Sequence, residues 1–168
     1  MAESAQHTKT ISWVDPRPQA AQALTMTGLD YLRAMMDGTI PPPPIASHIN
    51  LEMLDATPGV AIMAATPDDS HYNPIGSVHG GFVCTALDSA AGCAVQTTLP
   101  AGTGYTSLEI KVNYLRAVSA TTGALTVVGT VTKPGSRVAF AEAVVLDGQG
   151  RTVATASSTL LVFPVPAA

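Results

Sequence analysis

The sequence predicts an α+β domain in which one antiparallel sheet holds a buried helix against one face, with a helical extension at the N-terminus. Three observations predict it. The elements run helix, two strands, helix, four strands. The last strands are separated by the turn sequences Lys133-Pro134-Gly135 and Asp147-Gly148-Gln149-Gly150. The second helix, about 78–97, consists of small and apolar residues without strand-like alternation, opened by two glycines and stopped before Pro100. Short turns join neighbouring strands antiparallel, so the four later strands are expected as a meander.

In chain order, the first 20 residues mix Gln, Thr, Ser and two prolines without periodicity and read as a loosely held arm. Over about 20–37, Leu24, Leu29, Leu32, Met35 and Met36 fall largely at helical spacing, with Gly38 as the stop. The four prolines at 41–44 fix φ and supply no backbone donors, which predicts an extended linker. Residues 1–45 are therefore expected as an arm, helix and Pro-rich linker, and 46–168 as the domain proper. Ile49, Leu51 and Met53 alternate with polar neighbours, Thr57-Pro58-Gly59 turns the chain, and 60–65 returns as a strand. Leu108, Ile110, Val112 and Tyr114 alternate with Glu109, Lys111 and Asn113 as a half-buried strand. Strands at about 124–132, 136–146 and 152–163 follow.

A chain of 168 residues suits one domain. Its charged fraction is 12%, against about 25% in ordinary soluble domains, while 46% is apolar. Such a chain is short of groups to face water: it either associates with copies of itself or keeps an apolar cleft for a greasy ligand. A net charge of -4 leaves no positive field for nucleic acid. The Gly, Ser, Thr and Asp88 content of the second helix argues against a membrane span. The opening MAESAQHTKT has no basic stretch followed by an apolar run, so the cytoplasm is the expected compartment. Cys84 and Cys93, about 13.5 Å apart along one helix, are expected as reduced packing residues.

Between residues 70 and 108 the only Asp, Glu, Lys or Arg is Asp88. A carboxylate in a buried helix is costly unless it is satisfied structurally or has work to do. Upstream stands Asn73-Pro74-Ile75-Gly76-Ser77-Val78-His79-Gly80-Gly81, which brings an amide, an imidazole and two glycines to the helix start. Free N–H groups, the positive dipole end and the absence of Cβ atoms make this an oxyanion site, although the glycines could equally ease a tight turn. Asp88 lies about 12 Å further along the helix, too far to serve a reacting atom held at its own helix start. Two such helices packed antiparallel about a two-fold axis would bring each Asp88 to the other's His79-Gly80 end, giving two shared sites per dimer. His71 and His79 with Asp68 and Asp69 match no metal-ligand spacing.

Taken with Leu87-Asp88-Ser89-Ala90-Ala91-Gly92 and the run Thr106-Ser107-Leu108-Glu109-Ile110-Lys111-Val112-Asn113-Tyr114-Leu115-Arg116, the Asn-Pro-x-Gly-x-x-His-Gly-Gly motif resembles the hotdog-fold acyl-CoA thioesterases of the phenylacetic-acid-degradation type. The resemblance runs over about 28–163. It implies a hotdog fold, an antiparallel sheet wrapped around one long central helix, pairing into homodimers or dimers of dimers, with acyl-CoA as substrate and no cofactor or metal. It implies that the Gly80 N–H holds the thioester carbonyl with Asn73 nearby, and that Asp88 of a second copy acts as general base or nucleophile. It further implies that Ser107 positions water, with Thr106 adjacent and open to confusion with it. His79 would orient the turn or contact the thioester, with Gly81 beside it. For the anionic CoA, Arg137 in Lys133-Pro134-Gly135-Ser136-Arg137 and then Arg116 are the expected basic contacts. Phe82 and Leu87 are candidates to line the acyl group or to serve as core. A non-catalytic hotdog protein that binds acyl-CoA or another apolar ligand, or acts as an assembly subunit, is the alternative.

Overall fold

The computed structural model describes residues 5–165, so the outer ends of the two predicted segments, 1–4 and 166–168, lie outside the described residues. Four helices, α1 (Arg17–Ala23), α2 (Gly28–Met36), α3 (Pro44–His48) and α4 (Gly80–Gln96), accompany six strands. The strands are β1 (Leu51–Thr57), β2 (Val60–Ala65), β3 (Thr103–Tyr114), β4 (Leu125–Lys133), β5 (Val138–Leu146) and β6 (Thr152–Pro164). All six form one antiparallel sheet in the order β1-β2-β4-β5-β6-β3, and the sheet curls around α4, which touches every strand.

The expected meander holds for β4, β5 and β6. The third strand departs from it. Instead of pairing with β4, β3 runs beside β6 at the sheet edge, and β4 takes β2 as its other neighbour. The reason lies in the connections: α4 carries the chain across the sheet before β3, and residues 115–124 carry it back, a stretch long enough to cross the sheet where a tight turn could not.

Helix α4 can sit inside the curl because its sheet-facing residues are small. Ala86, Ala90, Ala91 and Ala94 are buried together with Leu87 and Val95. At Gly129 of β4 the contact is closest, since a Cβ there would stand 2.0 Å from the Ala90 carbonyl oxygen. Only glycine allows such an approach.

The predicted 20–37 helix is broken in two. Thr27 caps α2, its Oγ1 accepting the Asp30 N–H at 3.2 Å, and Gly28 lies so near Gln96 that a Cβ would fall 1.8 Å from that carbonyl oxygen. The cap and this contact with the end of α4 break the helix where the apolar spacing does not. Of the four prolines, the first three lie outside any helix, with Pro43 extended as expected, but Pro44 begins α3, where its missing N–H costs nothing. The arm is tied down at residues 7–9: Lys9 Nζ donates to Asp68 Oδ2 at 2.9 Å, and His7 Nδ1 lies 2.8 Å from Asp69 Oδ2. Burial opposes the charged form of Asp68, but hydrogen bonds from Ser70, Lys9 and Asn50 outweigh it and hold the carboxyl well below the usual carboxylate range.

Gly129→Ala should lower unfolding free energy in urea by about 1–3 kcal/mol, through overpacking against Ala90. Gly148→Ala, with nothing near its Cβ, should stay within about 0.5 kcal/mol of the parent. Because the folded pKa of Asp68 is depressed, its contribution is complete above the unfolded value near 3.9 and is lost as pH falls through the folded one. The melting temperature of Asp68→Asn should therefore lie below that of the parent at pH 7, with the gap closing progressively below about pH 4.

Candidate active site

The loop before α4 is a closed turn. The Asn73 N–H donates to the Ser77 carbonyl at 2.8 Å, its side-chain Oδ1 accepts from the Ile75 and Ser77 N–H groups at 3.1 Å each, and its Nδ2 donates to Ser77 Oγ. Gly76 sits at positive φ, and the turn is pinned by bridging of Tyr72 with Val78. His79 is the N-cap of α4, with its Nδ1 accepting the Gly81 N–H at 2.8 Å. The same contact explains Gly81, where a Cβ would meet His79 Nδ1 at 2.9 Å. The Gly80 N–H has no acceptor among the described residues, while its carbonyl accepts from the Tyr114 hydroxyl at 3.0 Å. A helix start with a free N–H, a dipole behind it and Tyr114 steadying it carries partial positive charge.

Asp88 stands on another part of the molecule. It is partly exposed on the side of α4 facing β3, and Ser107 Oγ donates to its Oδ1 at 2.8 Å. That contact depends on an irregularity in β3: Ser107 pairs with Leu160 and Glu109 with Thr159, leaving Leu108 as an extra residue. The bulge puts Tyr105 and Ser107 on the helix side and still lets Ile110 and Val112 reach the core. Leu108, expected on the half-buried face, is instead 58% exposed. The Tyr105 ring packs where Gly92 has no side chain, a Cβ there falling 2.6 Å from the Tyr105 hydroxyl.

Asp88, Ser89, Cys93, Tyr105 and Ser107 open on a cavity of about 430 Å³. Its lining includes the Asp88 carboxylate and, among the described residues, no Lys, Arg or His. Burial pushes the Cys93 thiol up to about 12, and the Asp88 charge adds to it; Cys84 is raised by the same two causes. Thiols held protonated in this way are not nucleophiles. Burial likewise raises Tyr105 well above its usual value, with its electrostatic coupling to Cys93, Asp88 and Tyr31 adding to it, so its phenol stays a hydrogen-bond donor.

The structure thus brings together Asp88 with Ser107, and separately Asn73, His79, Gly80 and Gly81. It does not join the two groups within one chain. Thr106 is exposed next to Ser107 and takes no part in the Asp88 contact. Phe82 is buried with its ring centroid 4.7 Å from that of His71, and neither it nor Leu87 lines the Asp88 cavity. Arg116 shares a cavity of about 340 Å³ with Gly80 and Tyr114, its Nη1 donating to the Thr152 carbonyl. Arg137 is exposed in the β4–β5 turn, whose residues Pro134, Gly135 and Ser136 border the far end of α4. His71 is occupied locally: its Nδ1 accepts the Asp68 N–H at 2.9 Å and its Nε2 lies 3.0 Å from the His48 carbonyl. The fold alone brings Tyr114 to Gly80 and Tyr105 to Gly92; in the sequence Tyr114 reads only as part of an alternating strand and of the 106–116 run, and Tyr105 carries no signal.

A model of the thioesterase superfamily matches residues 75–154, which include His79, Gly80, Asp88 and Ser107. A protein of Halobacterium salinarum, named for an inferred esterase activity, is 27% identical over 82% of this chain and 98% of its own. Among solved structures, a phenylacetic-acid-degradation-related protein of Ralstonia eutropha superposes with a TM-score of 0.72 at 26% identity, spanning 78% of this chain and 98% of that one. A Streptococcus mutans protein solved with acetyl-CoA superposes with a TM-score of 0.63 at 25% identity, spanning 69% and 90%. With the wrapped sheet already seen, these likenesses give the chain a hotdog fold, with residues 75–154 similar to the thioesterase superfamily and the whole similar to a protein of the phenylacetic-acid-degradation type.

Proposed function

We propose that the protein is an acyl-CoA thioesterase, hydrolysing its substrate to a free carboxylic acid and CoA at a site shared between two copies of the chain. The observation that carries this reading is Asp88, the one charged side chain between residues 70 and 108, set at an apolar cavity with Ser107 donating to it and no cation in the lining. A carboxylate so placed is not tied up in an ion pair and is open to the reacting water. Asp88 takes a proton from water as the water oxygen bonds to the thioester carbonyl carbon. The C–S bond then breaks, and the proton passes to the departing thiolate of CoA. Direct attack by the carboxylate, giving an anhydride that water opens, uses the same placement.

Charge gathering on the carbonyl oxygen meets the free Gly80 N–H, preorganised by the His79 cap and the Tyr114 contact. Asn73 holds the turn that aims it. Since Gly80 and Asp88 are about 12 Å apart along α4, one thioester needs the Gly80 of one copy and the Asp88 of another. The open outer edge of β3, twelve residues long, supports such pairing, as does the exposure of Leu108 and Leu115 along and just beyond it. Arg116, beside Gly80, is the nearer cation for a CoA phosphate, with Arg137 as the second. The acetyl-CoA in the Streptococcus mutans neighbour supports CoA as the carrier.

Free-thiol release from aryl, short-chain and long-chain acyl-CoAs tests the reading. Asp88→Asn should lower kcat by about 100-fold or more, and Ser107→Ala by about tenfold, with unchanged circular dichroism. A parent protein inert on all of them would point to the binding or assembly alternative. Mixed dimers of Asn73→Ala and Asp88→Ala chains should recover one working site of two, whereas each homodimer has none. No recovery would confine the site to a single chain.

A further inference from the structure

The cavity at Asp88 has walls of different origin. One comes from the sheet and α4, with Met63 buried in its floor. The other comes from residues 35–46, which belong to neither and precede the matched segment 75–154: Met35, Met36, Pro42, Pro43, Ile45 and Ala46. This wall is anchored. Leu32 and Ile40 are completely buried, the Gly28 N–H donates to the Leu99 carbonyl at 2.9 Å, and the Ile40 N–H donates to the Ala34 carbonyl at 2.9 Å. The prolines stiffen what lies between α2 and α3, so little ordering is left for a ligand to bring about. Yet Ile45 and Met36 remain 45% and 38% exposed at the cavity, leaving apolar surface uncovered beside the carboxylate.

Resting on the thioesterase reading above, the geometry points to residues 35–46 as the acyl-selecting wall: it takes an uncharged apolar acyl chain and rejects one that ends in a carboxylate. Methionine and proline side chains give such a chain a soft apolar surface with no hydrogen-bonding demand. A terminal carboxylate would lie near Asp88 with no cation in the lining to pair it. Ile45, at the exposed rim, limits the chain length.

The test uses the full chain with butanoyl-, hexanoyl-, octanoyl-, dodecanoyl- and glutaryl-CoA, and a non-hydrolysable thioether analogue of octanoyl-CoA in calorimetry. Ile45→Trp should lower the octanoyl-to-butanoyl ratio of kcat/KM about tenfold, through KM, and Ile45→Ala should shift preference toward dodecanoyl-CoA. Glutaryl-CoA should turn over about tenfold more slowly than hexanoyl-CoA in the parent. Equal losses on every acyl-CoA in Ile45→Trp would overturn the proposal, because the cavity would then hold the arm common to all CoA esters. Turnover with an unchanged length profile in both Ile45 variants would overturn the acyl wall and leave hydrolysis standing. A parent without turnover, whose thioether binding weakens about tenfold in Ile45→Trp, would overturn hydrolysis and retain the wall.

Discussion

Everything in this molecule depends on how closely the sheet can curl around α4. Alanines along the helix and Gly129 on β4 let backbone approach backbone, and the sheet therefore covers α4 on most sides. A helix covered in this way has almost no room for charge, since an unpaired carboxylate among those alanines would be strongly disfavoured. Asp88 escapes because it lies on the side toward β3, where the curl ends at a strand edge and the cavity opens. The sparse charge of the chain and the isolation of its one central acid are two results of the same packing.

The same packing separates the two halves of the proposed chemistry. The N-terminal end of α4 is fixed by its termination: a helix must begin with free N–H groups, and here His79 satisfies that of Gly81 while Gly80 keeps its own. The carboxylate is fixed two turns later, where β3 passes. A straight α-helix cannot fold those two points onto one reacting atom, so the distance along α4 makes association part of the proposed chemistry rather than an addition to it. The bulge at Leu108 completes the arrangement, turning Ser107 toward Asp88 without dragging Ile110 and Val112 out of the core.

Much of the fold was legible in the sequence because its signals are local. Period-two alternation and the turns at 133–135 and 147–150 marked β4, β5 and β6, and the uniform small-apolar run marked α4 to within two residues at its start and one at its end. The break between α1 and α2 was not legible, since apolar spacing carries on through it; the decisive contact, Gly28 on Gln96, is made to a residue 68 positions away. Pro44 looked like linker because proline is permitted at a helix start as readily as in extended chain. Leu108 looked like core because alternation alone cannot register an inserted residue.

For the site, the sequence by itself determined which groups were available: a lone Asp88, a His-Gly-Gly helix start behind a tight Asn73 turn, and Ser107 in the strand that follows. Those are matters of residue type and near-neighbour spacing, which the chain carries in one dimension. Only the tertiary structure decided that Ser107 rather than Thr106 meets the carboxylate, that Tyr114 braces Gly80, that Phe82 belongs to the core, and that the N-terminal methionines and prolines face Asp88. Each of these is a contact between segments far apart in sequence, set by strand order, a one-residue bulge and the close approach of α4 to the sheet, and none of these leaves a periodic mark in the chain.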